Sequence, residues 1–196
     1  MFTEITTVMS ERMAFLEAID KKDRNDGTPR MQRLRQIPPE TGKFLSIMAS
    51  NCPLGQLIEI GTSAGYSTMW LSLVAKERGV KVKTFELLEP KIRMAKETFN
   101  KTGIEDFVEL IEGDALVNIR QTENVAFCFL DCEKELYLSC WEIMSDKIVK
   151  GGILIADNAI SHFETIKPMI EKAQKDERFD SIIVPIGKGE LVCRRK

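Results

Sequence analysis

The sequence predicts an α/β fold: a doubly wound, mostly parallel sheet of seven strands, closed by an antiparallel C-terminal hairpin strand. Three observations carry this. From residue 57 onward, apolar runs alternate with helical stretches. The runs are apolar throughout rather than alternating, as expected of strands covered on both faces. The last two runs are joined only by Ile186-Gly187-Lys188-Gly189. That link is too short for a crossover helix, so these strands must form a hairpin.

The chain begins with apolar residues at Ile5, Met9, Met13, Leu16 and Ile19, close to helical spacing. A charged, turn-rich stretch over 20–27 ends this helix. It stands outside the main repeat and is free either to pack across a dimer interface or to fold back on its own sheet. Pro38-Pro39-Glu40 opens a second helix through Phe44, Leu45 and Met48, since proline is tolerated in a first helical turn. Strands are then expected at 57–60, 81–86, 107–111, 125–130, 152–156, 181–185 and 190–194. Helices are expected near 67–78, 89–101, 115–121, 135–149 and 162–176. There is no internal repeat and no low-complexity segment.

With 196 residues and 43% hydrophobic content, the chain can bury one sizeable core. A net charge of -2 and a pI of about 5.7 argue against a dedicated nucleic-acid binder. The N-terminus lacks a basic stretch followed by an apolar one, so no secretion signal is expected. No apolar run is long enough to span a bilayer, and no membrane partner is expected. Cys52, Cys128, Cys132, Cys140 and Cys193 form no C-x-x-C pair. Their odd number suits reduced thiols and a cytoplasmic location. Cys132 stands beside Asp131, where a small residue filling space at a strand end is the simpler reading.

Two strand ends carry the chemistry. One reads Phe129-Leu130-Asp131 and the other Ile155-Ala156-Asp157-Asn158. Neighbouring parallel strands would bring Asp131, Asp157 and Asn158 to one sheet edge. Two carboxylates and an amide oxygen make a hard, all-oxygen site for Mg, Mn or Ca rather than Zn. Any one of these residues is more simply a loop or helix cap; the coincidence of three favours a metal.

Upstream lies the loop Glu59-Ile60-Gly61-Thr62-Ser63-Ala64-Gly65-Tyr66-Ser67. No Gly-Lys-Ser/Thr follows, so it is not a P-loop. Ser63 stands where a dinucleotide site needs its second glycine for close approach to a pyrophosphate. A cofactor without phosphates relaxes that need. Glu59 places negative charge at the loop and suits a cationic ligand. Glu86, ending the second strand, can accept hydrogen bonds from both hydroxyls of a ribose. The turn Glu112-Gly113-Asp114-Ala115 ends the third strand and can lie against an adenine ring.

The order Glu59, Gly61, Glu86, Asp114-Ala115 and Asp131 on successive strand ends resembles the class I S-adenosylmethionine-dependent methyltransferases. More narrowly, it is similar to the cation-dependent O-methyltransferases that include caffeoyl-CoA and catechol O-methyltransferases. The matching stretches are Ile58-Glu59-Ile60-Gly61 with Gly65-Tyr66-Ser67, Phe129-Leu130-Asp131 with Lys134 and Tyr137, Gly151-Gly152 with Asp157-Asn158, and the tail from Pro185 to Arg195. The resemblance implies a single methyltransferase domain, with residues 1–37 a helical extension and 38–196 a Rossmann-like core. It implies that Glu59, Gly61, Thr62 and Ser67 hold the methionine part of the cofactor. Glu86 would bind the ribose, and Asp114 and Ala115 the adenine. Asp131, Asp157 and Asn158 would bind the divalent cation, with Asp131 also beside the cofactor. Lys134, three residues after Asp131, would be the general base.

The reaction implied is methyl transfer to a hydroxyl of a small, catechol-like aromatic acceptor, by a protein that is a homodimer. Two departures bear on that acceptor. His162 falls where plant members carry an asparagine that touches substrate, and Ile37 replaces a threonine that contacts their cofactor. His162 reads as a cap-region or pocket-lining residue. A second reading keeps the chemistry but takes tRNA hydroxyuridine as acceptor, with Arg30, Arg33, Arg35 and Lys43 tracking phosphates. A third is a non-catalytic cofactor-binding subunit, which the intact Asp131, Lys134, Asp157 and Asn158 set argues against.

Overall fold

Seven strands form one sheet in the order β3-β2-β1-β4-β5-β7-β6, in a computed structural model that describes all 196 residues. The strands are β1 (Gln56–Ile60), β2 (Val82–Glu86), β3 (Val108–Glu112), β4 (Val125–Leu130), β5 (Ile148–Ala156), β6 (Phe179–Val184) and β7 (Glu190–Arg195). β1 to β5 pair in parallel with their neighbours. β7 lies between β5 and β6, antiparallel to both. The short 186–189 link dictates this, because it can only return the chain alongside β6.

The helices are α1 (Thr7–Asp23), α2 (Pro39–Ser50), α3 (Tyr66–Arg78), α4 (Glu89–Thr102), α5 (Ala115–Asn118), α6 (Tyr137–Met144) and α7 (Phe163–Lys175). Two apolar clusters, of 28 and 22 buried residues, cover the two faces of the sheet. Along β4, Phe127 and Phe129 enter the first cluster while Cys128 and Leu130 enter the second. The period-2 alternation of strand side chains thus supplies both cores from one apolar run.

The leading helix folds back on its own chain. Met9, Met13 and Leu16 are buried in the first cluster, which also holds side chains of α2, α3 and α4. Its N-cap is Thr6, whose side chain accepts from Met9 N at 3.1 Å; that satisfies one of the free donors of a first turn.

One expected element needs correction. The helix expected over 135–149 ends at Met144, and Ile148 and Val149 open a longer β5. Ile148 pairs with Val125 of β4. Periodicity cannot separate a buried helix end from a buried strand start in an apolar run, so only sheet pairing decides it.

Candidate functional site

The strand order reverses direction between β1 and β4, and ligands of such sheets bind beyond the carboxyl ends at that switch point. A cavity of about 510 Å³ opens there. Gly61, Thr62, Ser67, Glu86, Asp114, Ala115, Asp131, Lys134 and Asn158 all line it. Glu59 and Asp157 do not. They stand behind the lining, 0% and 1% exposed.

The glycine loop depends on one close approach. Gly61 has φ +108°, and a Cβ there would meet Asp131 O at 2.4 Å. Gly61 N also donates to Phe85 O, and Asp131 N to Ile60 O. The ends of β1, β2 and β4 are therefore sewn together at this residue.

Glu86 is fixed by backbone. Its Oε2 accepts from Ser63 N at 2.8 Å. Its Oε1 accepts from Leu87 N at 3.0 Å and Leu88 N at 2.9 Å. Ser63, at φ +49°, takes the left-handed turn that aims its N–H at this carboxylate. The Ser63 hydroxyl donates to Leu34 O, tying the loop to the segment before α2.

Glu59 lies under the start of α3. Its Oε2 accepts from Thr68 Oγ1 at 2.5 Å and Thr84 Oγ1 at 2.6 Å, while its Oε1 is buried without a partner. Burial pushes this carboxyl up to about 7, against the pull of its hydroxyl donors.

Beyond β4, Lys134 Nζ donates to Asp131 Oδ1 at 2.7 Å and to the Tyr137 hydroxyl at 2.7 Å. Tyr137 in turn donates to Leu130 O at 3.0 Å. The lysine is 6% exposed, and its amine is held at the cavity wall by a chain of three groups. Cys132 borders the same wall. A hydrogen bond with Cys140 and burial hold its thiol well above the usual range, so it is a poor nucleophile near neutrality.

At the end of β5, Asp157 Oδ1 accepts from Asn158 N at 2.7 Å, and Asp157 Oδ2 is buried without a donor. Burial and the nearby Asp131 raise the Asp157 carboxyl to about 6. Asn158, at φ +69°, donates its amide to Ser161 Oγ, which leaves its carbonyl oxygen free. Asp131, Asp157 and Asn158 thus supply oxygen donors on adjacent strand ends, one of them orphaned, which suits a hard cation. No three His, Cys, Asp or Glu side chains converge as a metal-binding group. The donor set is two carboxylates and an amide.

Some residues of the site were not singled out from the sequence. Glu190 at the start of β7 is fully buried against Asp157, and burial with that carboxylate raises it to about 10. Lys91, from the first turn of α4, is 6% exposed and lines the cavity. Glu133 binds Arg35, and both border the cavity beside Leu34 and Ile37. The pattern held no signal for these, because each depends on how segments distant in sequence meet. The basic residues expected to track phosphates are partly spent internally. Arg35 pairs with Glu133, Arg33 Nε donates to Thr28 O, and Lys43 lies outside the cavity lining. His162 is the N-cap residue of α7, makes no capping bond, and lines the cavity.

This sheet order, with a glycine loop, a backbone-bound acidic residue and an Asp at four successive strand ends, defines a Rossmann-like methyltransferase. The chain belongs to the O-methyltransferase family, whose model matches residues 8–196. Its class is that of an S-adenosylmethionine-dependent O-methyltransferase. A catechol O-methyltransferase of Mycobacterium tuberculosis is 30% identical over 129 residues, covering 63% of this chain and 57% of that protein. A caffeoyl-CoA O-methyltransferase of Medicago sativa is 24% identical over 181 residues, covering 80% and 73%. Among solved structures, an SAH-bound methyltransferase of Podospora anserina superposes with a TM-score of 0.79 at 20% identity, covering 98% of this chain and 89% of that one. No helix is long and apolar enough to cross a membrane.

Proposed function

We propose that the protein transfers the methyl group of S-adenosylmethionine to a hydroxyl of a small, catechol-like acceptor with the help of a divalent cation, Mg before Mn or Ca. The observation that carries this is the placement of Lys134 beside Asp131 at the mouth of the glycine loop. A base, a carboxylate and a cofactor loop meet at one wall of one cavity.

The cofactor's ribose would sit on Glu86, whose carboxylate is oriented by three backbone donors. The methionine part would lie along Gly61, Thr62 and Ser67. Glu59 would act from behind the loop by ordering it, its carboxyl accepting from Thr68 and Thr84. Asp114 and Ala115, at the start of α5, would face the adenine. The Podospora methyltransferase of like fold is SAH-bound, which supports a cofactor of this kind here.

Asp131, Asp157 and Asn158 would hold the cation. A divalent cation there would lower the pKa of the acceptor hydroxyl and orient it. Lys134 takes the proton from that oxygen, and Asp131 with Tyr137 keep its amine in place. S-adenosylmethionine, when bound, would supply an electrophilic methyl group on a sulfonium sulfur that departs as a neutral thioether. Positioning of the two reactants supplies much of the rate.

Titration calorimetry with S-adenosylmethionine and S-adenosylhomocysteine, with and without Mg, followed by a catechol turnover assay, tests the reading. Micromolar cofactor binding with Mg-dependent methylation of a catechol is expected. No cofactor binding, or turnover unaffected by chelation, would overturn it.

A further inference from the structure

Seven Lys and Arg side chains line the cavity against four Asp and Glu. Three of these cations are held closely by carboxylates, while Lys91 and Lys188 have none within 4.0 Å. Arg24 is bound to Asp20, Arg35 to Glu133 and Lys134 to Asp131. Lys188 has no carboxylate within 4.0 Å and no hydrogen-bond partner for its ammonium.

The position of Lys188 is built, not incidental. It lies on the β6–β7 turn, and its carbonyl accepts from Ile160 N at 3.3 Å and Ser161 N at 3.0 Å, while Gly189 O accepts from Ala159 N at 2.7 Å. Gly189 has φ +92°, and a Cβ there would meet Ile160 N at 2.7 Å. The turn is therefore clamped to the loop that follows Asp157-Asn158. That clamp sets Lys188 in the cavity lining beside Ser161, at the end where the acceptor would sit.

A second cation, Arg30, and the His162 imidazole converge on the same end. His162 and Arg30 line the cavity there. Lys134, Arg30, Lys188 and the Asp131 carboxylate all lie close enough to the His162 imidazole to act on its charge. Arg30 has only a loose contact, 3.9 Å, to a Glu133 that Arg35 already holds. Of the carboxylates close by, Asp131 is bound by Lys134, Glu133 is bound by Arg35, and Asp157 stands behind the lining. Lys188 and Arg30 thus face the cavity with no carboxylate bound closely to either. Partly enclosed charge of one sign selects ligands of the other. Met31 and Leu136 add apolar lining to the same cavity.

We propose that the acceptor carries an anionic group, a carboxylate or a phosphate on a hydroxylated aromatic ring, seated on Lys188 with Arg30 and His162 beside it. This rests on the methyltransferase reading and adds the charge of the substrate to it. The reacting hydroxyl lies toward Lys134 and the anion toward the β6–β7 turn.

The test is titration calorimetry of the protein with S-adenosylhomocysteine and Mg present. The probes are 3,4-dihydroxybenzoate, its uncharged carboxamide and 3,4-dihydroxyphenylphosphonate. At least one anion is expected to bind about tenfold tighter than the carboxamide, and the tighter of the two names the source of the charge. Lys188→Met should remove the preference, Lys188→Glu should reverse it, and Lys188→Arg should keep it, with S-adenosylhomocysteine affinity retained as a control of folding. Equal affinity for anions and carboxamide, or a preference unchanged in Lys188→Glu, would overturn the proposal. Methylation of the carboxamide without any charge preference sinks this proposal alone. Absence of S-adenosylhomocysteine binding together with absence of catechol binding sinks the methyltransferase reading with it.

Discussion

Lys134 Nζ lies 2.7 Å from Asp131 Oδ1, and the two residues are three positions apart in sequence. The turn after β4 folds the lysine back on the carboxylate that ends the strand. Tyr137, one further turn along, accepts from the same amine. The short 3₁₀ stretch Lys134–Leu136 and the start of α6 therefore exist in register with the chemistry.

Replacing that amine should remove the proton acceptor while leaving the cofactor loop alone. Lys134→Ala is expected to lower kcat by about 10²–10⁴-fold, the range for loss of a positioned base. Affinity for S-adenosylhomocysteine should stay nearly unchanged. Single-turnover methylation beside calorimetry separates the two, and a variant with full kcat would remove Lys134 from the mechanism.

Gly61→Ala should fail for a steric reason. The new Cβ would sit 2.4 Å from Asp131 O, at a φ of +108° that a side chain resists. Backbone strain of this kind costs about 1–3 kcal/mol. The predicted outcome is a lower Tm and loss of cofactor binding together. Normal binding in calorimetry would show that the loop is not the cofactor cradle.

Glu86→Gln tests a carboxylate that accepts three backbone hydrogen bonds. An amide can accept at one end only, so one N–H loses its partner. Stability should fall by about 1–3 kcal/mol. S-adenosylhomocysteine affinity should fall by about tenfold as the ribose loses an acceptor. Denaturant titration and calorimetry give both numbers, and unchanged affinity would place the ribose elsewhere.

Burial holds the Glu59 carboxyl at about 7, against a usual value of 4.5. The folded chain therefore keeps a proton that the unfolded chain releases as pH rises past 4.5. Stability linked to this group is fully present below that pH and is lost as pH climbs through about 7. The slope from one proton reaches at most about 1.4 kcal/mol per pH unit. In Glu59→Gln that slope should vanish. Urea unfolding across this window checks it, and parallel curves for both proteins would contradict the buried assignment.

Removal of divalent ions by chelation should abolish methyl transfer, and Mg should restore it. In Asp157→Asn, restoration should need far more Mg, at least about 10–100-fold. Turnover against Mg concentration is the readout. Full activity of this variant in chelator would dismiss the metal trio.

The strand ends were legible from the chain alone because each is a local event. Apolar runs that stop at Gly61, Glu86, Asp131 and Asp157-Asn158 announce both a strand and the residue it presents. The 186–189 link likewise fixed the antiparallel hairpin by its length. The end of α6 was not legible, since Ile148 and Val149 suit a buried helix as well as a buried strand, and pairing with Val125 decides between them.

By itself, then, the sequence determined the fold class, the order of the strand ends that line the cavity and the Asp131–Lys134 spacing. These follow from periodicity, turn length and proximity along the chain. Only the tertiary structure decided that α1 folds back on its own core, that Glu59 and Asp157 act from behind the cavity wall, and that Glu190 is buried against Asp157. It alone placed Lys188, through a turn clamped to residues 159–161, in the cavity lining. Those facts depend on burial and on contacts between segments far apart in sequence, and neither is written in the order of residues.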